Sequence, residues 1–373
     1  MKEKLDSLQA LRSAACLTVF LNHCYVGNVV EWGVSVFFVM SGFLLTAGRL
    51  SKGGALPLSP LESLHFAWGK IRKLYPLYII TMLPILALNV YNAFAASTGF
   101  GDIAKELLLS LLLIQSWFPA HCMAFNGVAW YLSTAFFLYF CFPYIMRLVS
   151  RFHGKASAYS AIVLLLTAEA ALSFLSPSFP HMFPSLFPTG AGEDFELWFT
   201  YIFPVFRLID FSLGCITGYI FFMRNKEESN SVITAIDIAT AALFALSITI
   251  YRTADALPES GAYKHTLVFS PFAMLCVYCF ALGKGALPRL LTGKFTVYLG
   301  DISSSFYLIH QDVIRILFML LGCTPLSFSA VRAVLIPLSF ILTVFAAWLY
   351  KHIAPPGKKL CGAFSRQSRL FSL

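Results

Sequence analysis

Charge is what this sequence lacks. Asp, Glu, Lys and Arg supply 12% of the residues, about half the share of roughly 25% that a soluble domain carries. A water-facing surface cannot be assembled from so little, which excludes a soluble globular protein. Metal-site spacing is missing as well. The nine cysteines are scattered, with Cys16, Cys141, Cys215, Cys276 and Cys279 inside apolar runs. Cys276 and Cys279 have no second pair at ligand spacing, so the thiols read as small residues of membrane helices and no metal is expected. Internal repeats, low-complexity tracts and any stretch long enough for a soluble domain are also wanting. A cleavable signal is not expected, because Arg12 interrupts the first apolar run and no small-x-small site follows it.

What is there is hydrocarbon. Apolar residues make up 58% of the chain and the mean hydropathy is +0.75. Runs of about 20 such residues, the length a helix needs to cross a bilayer, recur at 8–27, 33–49, 74–96, 128–147, 158–176, 199–223, 232–251, 266–283, 301–321 and 328–350. The stretch 103–117 is too short for a confident span, and loop charge decides its reading. Lys and Arg favour cytoplasmic loops. If 103–117 does not cross, 20 of the 27 basic residues fall on the side that holds Arg49, Lys52, Lys70, Arg72 and Lys73. If it crosses, every later loop and the basic C-terminal tail are reversed. The sequence therefore predicts an all-α polytopic membrane bundle of about ten transmembrane helices with both termini cytoplasmic. Residues 103–117 form a re-entrant or interfacial segment, 1–351 a single membrane domain, and 352–373 a basic cytoplasmic tail. Orientation accounts for the net charge of +9, and no nucleic-acid partner is needed.

Ionisable residues inside spans are costly unless paired, wet or functional. The first span holds two, Arg12 and His23. Eleven positions at about 100° each leave them within roughly 20° on one helix face, about 16 Å apart along the axis. Taken singly, Arg12 reads equally well as a cation snorkelling to the interface and His23 as a packing histidine. Their alignment points instead to one functional stripe. Arg207 and Asp210 lie three apart and can pair on a shared face, as a structural ion pair or a ligand contact. His310 stands in the ninth span with Asp312 close by, and Ser41 and Gly42 suit close helix packing. Arg315 and Arg332 are supported by no motif.

Several of these residues sit in motifs. Leu8-Gln9-Ala10-Leu11-Arg12 through Asn22-His23 is followed by Gly33-Val34-Ser35-Val36-Phe37-Phe38-Val39-Met40-Ser41-Gly42-Phe43-Leu44. Then come Lys70-Ile71-Arg72-Lys73-Leu74-Tyr75-Pro76, Trp130-Tyr131-Leu132-Ser133, Phe206-Arg207-Leu208-Ile209-Asp210-Phe211 with Gly214, and Ser303 to His310. This ordered set resembles the acyltransferase-3 family of integral-membrane O-acyltransferases, over essentially the whole chain. The resemblance implies an O-acetyltransferase, a multi-pass protein of the bacterial cytoplasmic (inner) membrane. It would move an acyl group, acetyl in the first instance, from a cytoplasmic coenzyme A thioester to a hydroxyl of a cell-envelope polysaccharide. Acetyl-CoA or a related acyl-CoA would be a co-substrate, with no cofactor bound permanently. The acceptor would be a glycan or glycolipid.

On that reading His23 acts as general base or as a transient acyl carrier, and Arg12 holds a donor phosphate or the thioester end. Lys70, Arg72, Lys73 and Arg207 are donor-binding candidates, though positive-inside bias alone explains the three loop residues. Asp210, His310, Ser41 and Trp130 are secondary candidates. The arginine–histidine face is expected to line a tunnel between the two sides of the membrane. Two departures matter. Ala135 stands where many members carry glutamate, and Ser35 where a Gly-Val-Asp triplet often ends, so no carboxylate role transfers to either position. No esterase-like domain is visible, which leaves direct transfer or a separate extracytoplasmic partner. The rival reading from another class is a multi-span transporter or flippase of a lipid or small solute.

Overall fold

The computed structural model describes residues 2–24, 26, 30–53, 59–182, 192–224, 228–254, 266–323 and 327–353. The predicted tail beyond residue 353 lies outside the described residues. All regular structure among them is helical. In chain order the α-helices are α1 (Lys2–His23), α2 (Val30–Lys52), α3 (Pro60–Ile71), α4 (Tyr75–Ala95) and α5 (Gly101–Leu111). They continue with α6 (Trp130–Val149), α7 (Lys155–Leu175), α8 (Phe179–Met182), α9 (Gly192–Leu197) and α10 (Pro204–Phe222). The series closes with α11 (Asn230–Ala254), α12 (Ser270–Leu282), α13 (Ala286–Leu291), α14 (Lys294–Gly322) and α15 (Phe328–Ile353).

Eight helical segments among the described residues are long and apolar enough to cross a membrane. The two remaining spans expected from the sequence are α1, which carries Arg12, and α12, an apolar helix of 13 residues. At 1.5 Å per residue α12 reaches only about 20 Å of a roughly 30 Å hydrocarbon core, and it is buried within the bundle.

Burial sorts the helices into two rings. The windows on α2 and on the segment containing α10 are each 72% buried, whereas those on α7, α11 and α15 are 22% buried and that on α4 is 28%. The outer helices expose Leu83 and Phe94, Val163 and Phe174, Ile238, and Ile341 and Phe345. Such side chains are stable against lipid and would not be against water. Pro84, Pro143 and Pro337 interrupt the outer helices α4 and α15 and the half-buried α6, as membrane helices tolerate.

Two parallel helix pairs make the interior. α2 and α10 run side by side, so near that a Cβ on Gly42 would collide with the Phe211 carbonyl and one on Gly214 with the backbone of Val39. Small residues permit this approach, which is how helices gain packing contact in a membrane. α1 and α14 form the second pair. Cys16 Sγ lies 3.8 Å from the Ser303 carbonyl, the rings of Phe20 and Phe306 are 5.5 Å apart, and His23 meets His310 at the far end.

The segment 101–129 folds back into the bundle. After α5, which is too short to cross, the chain turns at Leu113 (φ 57°) and returns through short 3-10 turns at Gln115–Trp117 and Pro119–His121. Irregular backbone at membrane depth requires its polar groups to be met by protein, and here they are. Ser133 Oγ donates to the Leu113 carbonyl at 2.7 Å, and Trp198 Nε1 donates to the Ser116 carbonyl at 3.0 Å. Gln115 Nε2 donates to Tyr78 Oη at 3.1 Å, and Asn126 Nδ2 to the Leu308 carbonyl at 2.8 Å. The Trp-Tyr-Leu-Ser motif therefore owes its serine to anchoring this loop.

Candidate active site

The first span delivers its two ionisable residues to two different places. Arg12 lines a cavity of about 80 Å³, together with Phe37 and Ser41 of α2, Lys70 of α3, Tyr131, Ala135 and Tyr139 of α6, and Ser303, Ser304 and Tyr307 of α14. At about 10–15 Å³ per water, such a space holds about half a dozen waters. Among the described residues neither Arg12 nor Lys70 has a carboxylate within salt-bridge distance. Lys70 instead sits over the Phe66 ring, its Nζ 4.9 Å from the centroid. Burial, aided by repulsion from Lys52, holds the Lys70 ammonium pKa below the ordinary lysine range. Two cations without a carboxylate partner among the described residues thus face one cavity. Ser41 stands beside the hydroxyls of Tyr131 and Tyr139 in the same wall.

His23 lies beyond this cavity. Its Nδ1 is 2.9 Å from the Val19 carbonyl and 3.2 Å from His310 Nε2, while His310 Nδ1 is 2.7 Å from the Tyr307 carbonyl. A carbonyl oxygen can only accept, so with both rings neutral the hydrogens are fixed. Each histidine carries its proton on Nδ1, and His310 Nε2 offers its lone pair to His23 Nδ1–H. His23 Nε2 is then the free basic nitrogen of the pair. His310 is fully buried, its ring stacked on Phe306 at 6.1 Å. The two helices that carry the pair run parallel, so residues from opposite ends of the chain reach the same level.

Aromatic rings separate the histidine pair from the cavity. Tyr307 is 5.3 Å from Tyr131 and 6.2 Å from Phe37 on the cavity side, and 5.7 Å from the His310 ring on the other. The expected continuous tunnel along α1 is thus a cavity at Arg12 and a histidine pair at His23, with Tyr307 between them. A stripe of side chains on one helix defines a direction, but neighbouring helices decide where the space is.

The remaining candidates divide. Arg207 is fully buried and does not line the cavity. Its Nε donates to the Tyr201 carbonyl at 2.6 Å, and its Nη1 to Asp210 Oδ2 at 2.6 Å and to Ser35 Oγ at 3.1 Å. Its guanidinium also packs on the Tyr201 ring at 4.6 Å. Tyr201 belongs to a π-helical turn, Trp198–Ile202, so this arginine ties that turn to α2. Asp210 is likewise enclosed. Ser270 Oγ lies 2.7 Å from Asp210 Oδ1 and 2.7 Å from Glu169 Oε1. Ser270 thus bridges the two buried acids. Among the described residues Arg207 Nη2 is left without a hydrogen-bond partner.

Arg72 and Lys73 lie exposed at the end of α3, where the Arg72 backbone N–H donates to the Trp68 carbonyl. Trp130 is buried against Tyr201 and Phe38 at 5.1 and 6.5 Å, one residue away from the cavity wall that Tyr131 forms. The sequence marks neither Glu169 nor Gln311, and holds Tyr131 and Tyr307 only as members of motifs, not as site candidates. Aromatic and polar residues inside apolar runs carry no spacing signal until partner helices are placed.

These features define a polytopic membrane protein with a cation-lined cavity beneath a histidine pair, His310 buried and His23 half-buried. Residues 5–352 match the acyltransferase domain that defines the acyltransferase-3 family, and the chain belongs to that family. It is 28% identical over 342 residues to the acyltransferase MdmB of Streptomyces mycarofaciens, covering 86% of this chain and 81% of that one. It is 21% identical over 329 residues to the O-acetyltransferase OatA of Staphylococcus aureus (strain NCTC 8325 / PS 47), covering 83% of this chain and 50% of the relative. The chain therefore spans about half the length of OatA. No solved structure matches it. It is a membrane acyltransferase.

Proposed function

We propose that the protein is an O-acyltransferase that moves an acetyl-type group from a coenzyme A thioester to a hydroxyl of a cell-envelope saccharide. The observation that carries this reading is that Arg12 and Lys70, neither with a carboxylate partner among the described residues, share one cavity next to Tyr307, one turn from His310. A donor rich in phosphate suits that cavity. Its volume fits the thioester end of a donor, whose phosphates would rest at the mouth near Lys70, Arg72 and Lys73. With positive loops inside, this entrance is cytoplasmic, the termini are cytoplasmic, and the chain resides in a bacterial cytoplasmic membrane.

The chemistry follows from the hydrogen-bond directions. With the Tyr307 ring that stands between cavity and histidine pair swung aside, His23 Nε2 takes the proton of the acceptor hydroxyl as its oxygen attacks the thioester carbonyl carbon. The C–S bond breaks, the acyl group stays on the acceptor oxygen, and the thiolate leaves with the proton held by His23. While His23 is an imidazolium, its Nδ1–H remains shared between the Val19 carbonyl and His310 Nε2. His310 therefore steadies the charged intermediate without itself carrying charge.

The test is label transfer. Purified full-length protein in nanodiscs is given acetyl-coenzyme A labelled in the acetyl group, with crude envelope glycan as acceptor. Label on the glycan supports the assignment. Solute uptake into proteoliposomes with no label on glycan would overturn it in favour of a transporter or flippase.

A further inference from the structure

The face of α14 that lines the donor cavity continues past it. Ser304 and Tyr307 belong to the cavity wall, and Gln311 and Arg315 follow Tyr307 at four-residue steps, each about 6 Å further along the axis. This brings them to the level of the histidine pair and beyond, on the side away from Lys70. Arg315 is near enough to His23 for its charge to act on that imidazole.

Three features single out this spot. Gln311 Oε1 is enclosed and has no hydrogen-bond partner, an arrangement that costs about 1–3 kcal/mol unless something donates to it. Arg315 Nη1 donates to the Phe125 carbonyl at 3.1 Å, and Phe125 is a non-glycine residue in the left-handed region, at φ 57°. Backbone held in that conformation by its surroundings gathers at ligand sites. Gly127 supplies the third. A Cβ there would sit 2.9 Å from Gln311 Oε1 and 3.1 Å from Arg315 Nη2, so the bare backbone lets both polar heads converge.

We propose that Gln311 and Arg315 form the acceptor subsite and that its occupant is a neutral sugar ring. Gln311 Oε1 takes the hydrogen of one ring hydroxyl, and an Arg315 N–H donates to the oxygen of its neighbour, which leaves the reacting hydroxyl facing His23 Nε2. A neutral polyol is favoured over an anion because an unsatisfied acceptor, Gln311 Oε1, stands beside the Arg315 donors at Gly127. The patch therefore offers acceptor and donors together. This inference rests on the acyl-transfer reading above.

The experiment uses full-length protein in nanodiscs with labelled acetyl-coenzyme A and two soluble acceptors, methyl β-glucoside and 1-propanol, beside crude envelope glycan. At equal concentration the glucoside is expected to take at least about tenfold more label than propanol. Gln311→Leu and Arg315→Leu should each raise the glucoside KM about tenfold, the size of one lost substrate hydrogen bond, and leave the donor KM within about twofold. Arg315→Lys should recover part of the loss, and near-isosteric Gln311→Met carries the test should Gln311→Leu not fold. An unchanged glucoside KM in the Gln311 and Arg315 variants overturns the subsite. So does a raised donor KM, or propanol labelled as well as glucoside. Label on envelope glycan but none on methyl glucoside overturns the sugar-ring assignment alone. No label on any acceptor overturns the acyl-transfer reading itself.

Discussion

His310 Nε2 lies 3.2 Å from His23 Nδ1, and the carbonyls of Val19 and Tyr307 fix which nitrogen of each neutral ring carries hydrogen. The outcome is a base with one free nitrogen and a buried partner that accepts from the other. His23→Ala should lower kcat by about 100- to 10,000-fold, the usual worth of a positioned general base, with expression near wild type. His310→Gln should cost less, about 10- to 100-fold, since it removes one hydrogen bond to a group that becomes charged. Single-turnover label transfer measures both. Wild-type turnover in His23→Ala would refute the base assignment.

Arg12→Ala should raise the donor KM about tenfold and change kcat less, because the guanidinium faces the cavity and has no carboxylate partner among the described residues. Titration with a non-hydrolysable thioester analogue measures the donor affinity directly. An unchanged affinity would move the donor phosphates to Lys70 and the exposed residues after it.

Lys70 gives a prediction in pH. Its ammonium is held below the ordinary lysine range by burial, so raising the pH discharges it earlier than it would an exposed lysine. If Lys70 holds donor phosphate, donor affinity should fall on the alkaline side through that lowered pKa. Lys70→Arg stays charged and should flatten the limb. A donor KM equally pH-dependent in wild type and variant would exclude Lys70 from the donor site.

Arg207 should behave as a structural residue. Arg207→Leu strands Asp210 in a buried position and should reduce stability by about 3–5 kcal/mol, seen as a lowered unfolding temperature in detergent. If Arg207→Lys raises the donor KM without lowering that temperature, the residue contacts donor after all. Ser35→Asp offers the complementary test. A carboxylate placed beside the unpartnered Arg207 Nη2 should be tolerated and should raise the unfolding temperature. A variant that fails to fold would mean that the pocket cannot hold a second acid there.

The helical architecture was legible because apolar runs and basic loops are long-range averages that single residues cannot disguise. Arg12 and His23 were legible because helix periodicity alone puts them on one face. Arg207 and Asp210 were paired by spacing, but their depth was not, since burial depends on how nearly α2 and α10 approach at Gly42 and Gly214. Lys70 shares the cavity with Arg12 only because α3 packs on α6, where Phe66 stacks on Phe142 at 5.5 Å. Tyr307 between cavity and histidines, and Glu169 opposite Asp210, arise from contacts between helices distant in sequence. Spacing within one helix cannot report them.

His23 and His310 stand 287 positions apart in the sequence. A growing chain would release the first imidazole into the membrane early and the second only after most of the bundle had been inserted. Throughout that interval the base would have no partner on Nδ1 beyond the Val19 carbonyl, and Arg12 would lack the cavity wall that α14 supplies. A nascent or truncated protein could therefore engage a thioester only after its near-final helix had arrived, so reactive donor would be protected from futile discharge during biogenesis.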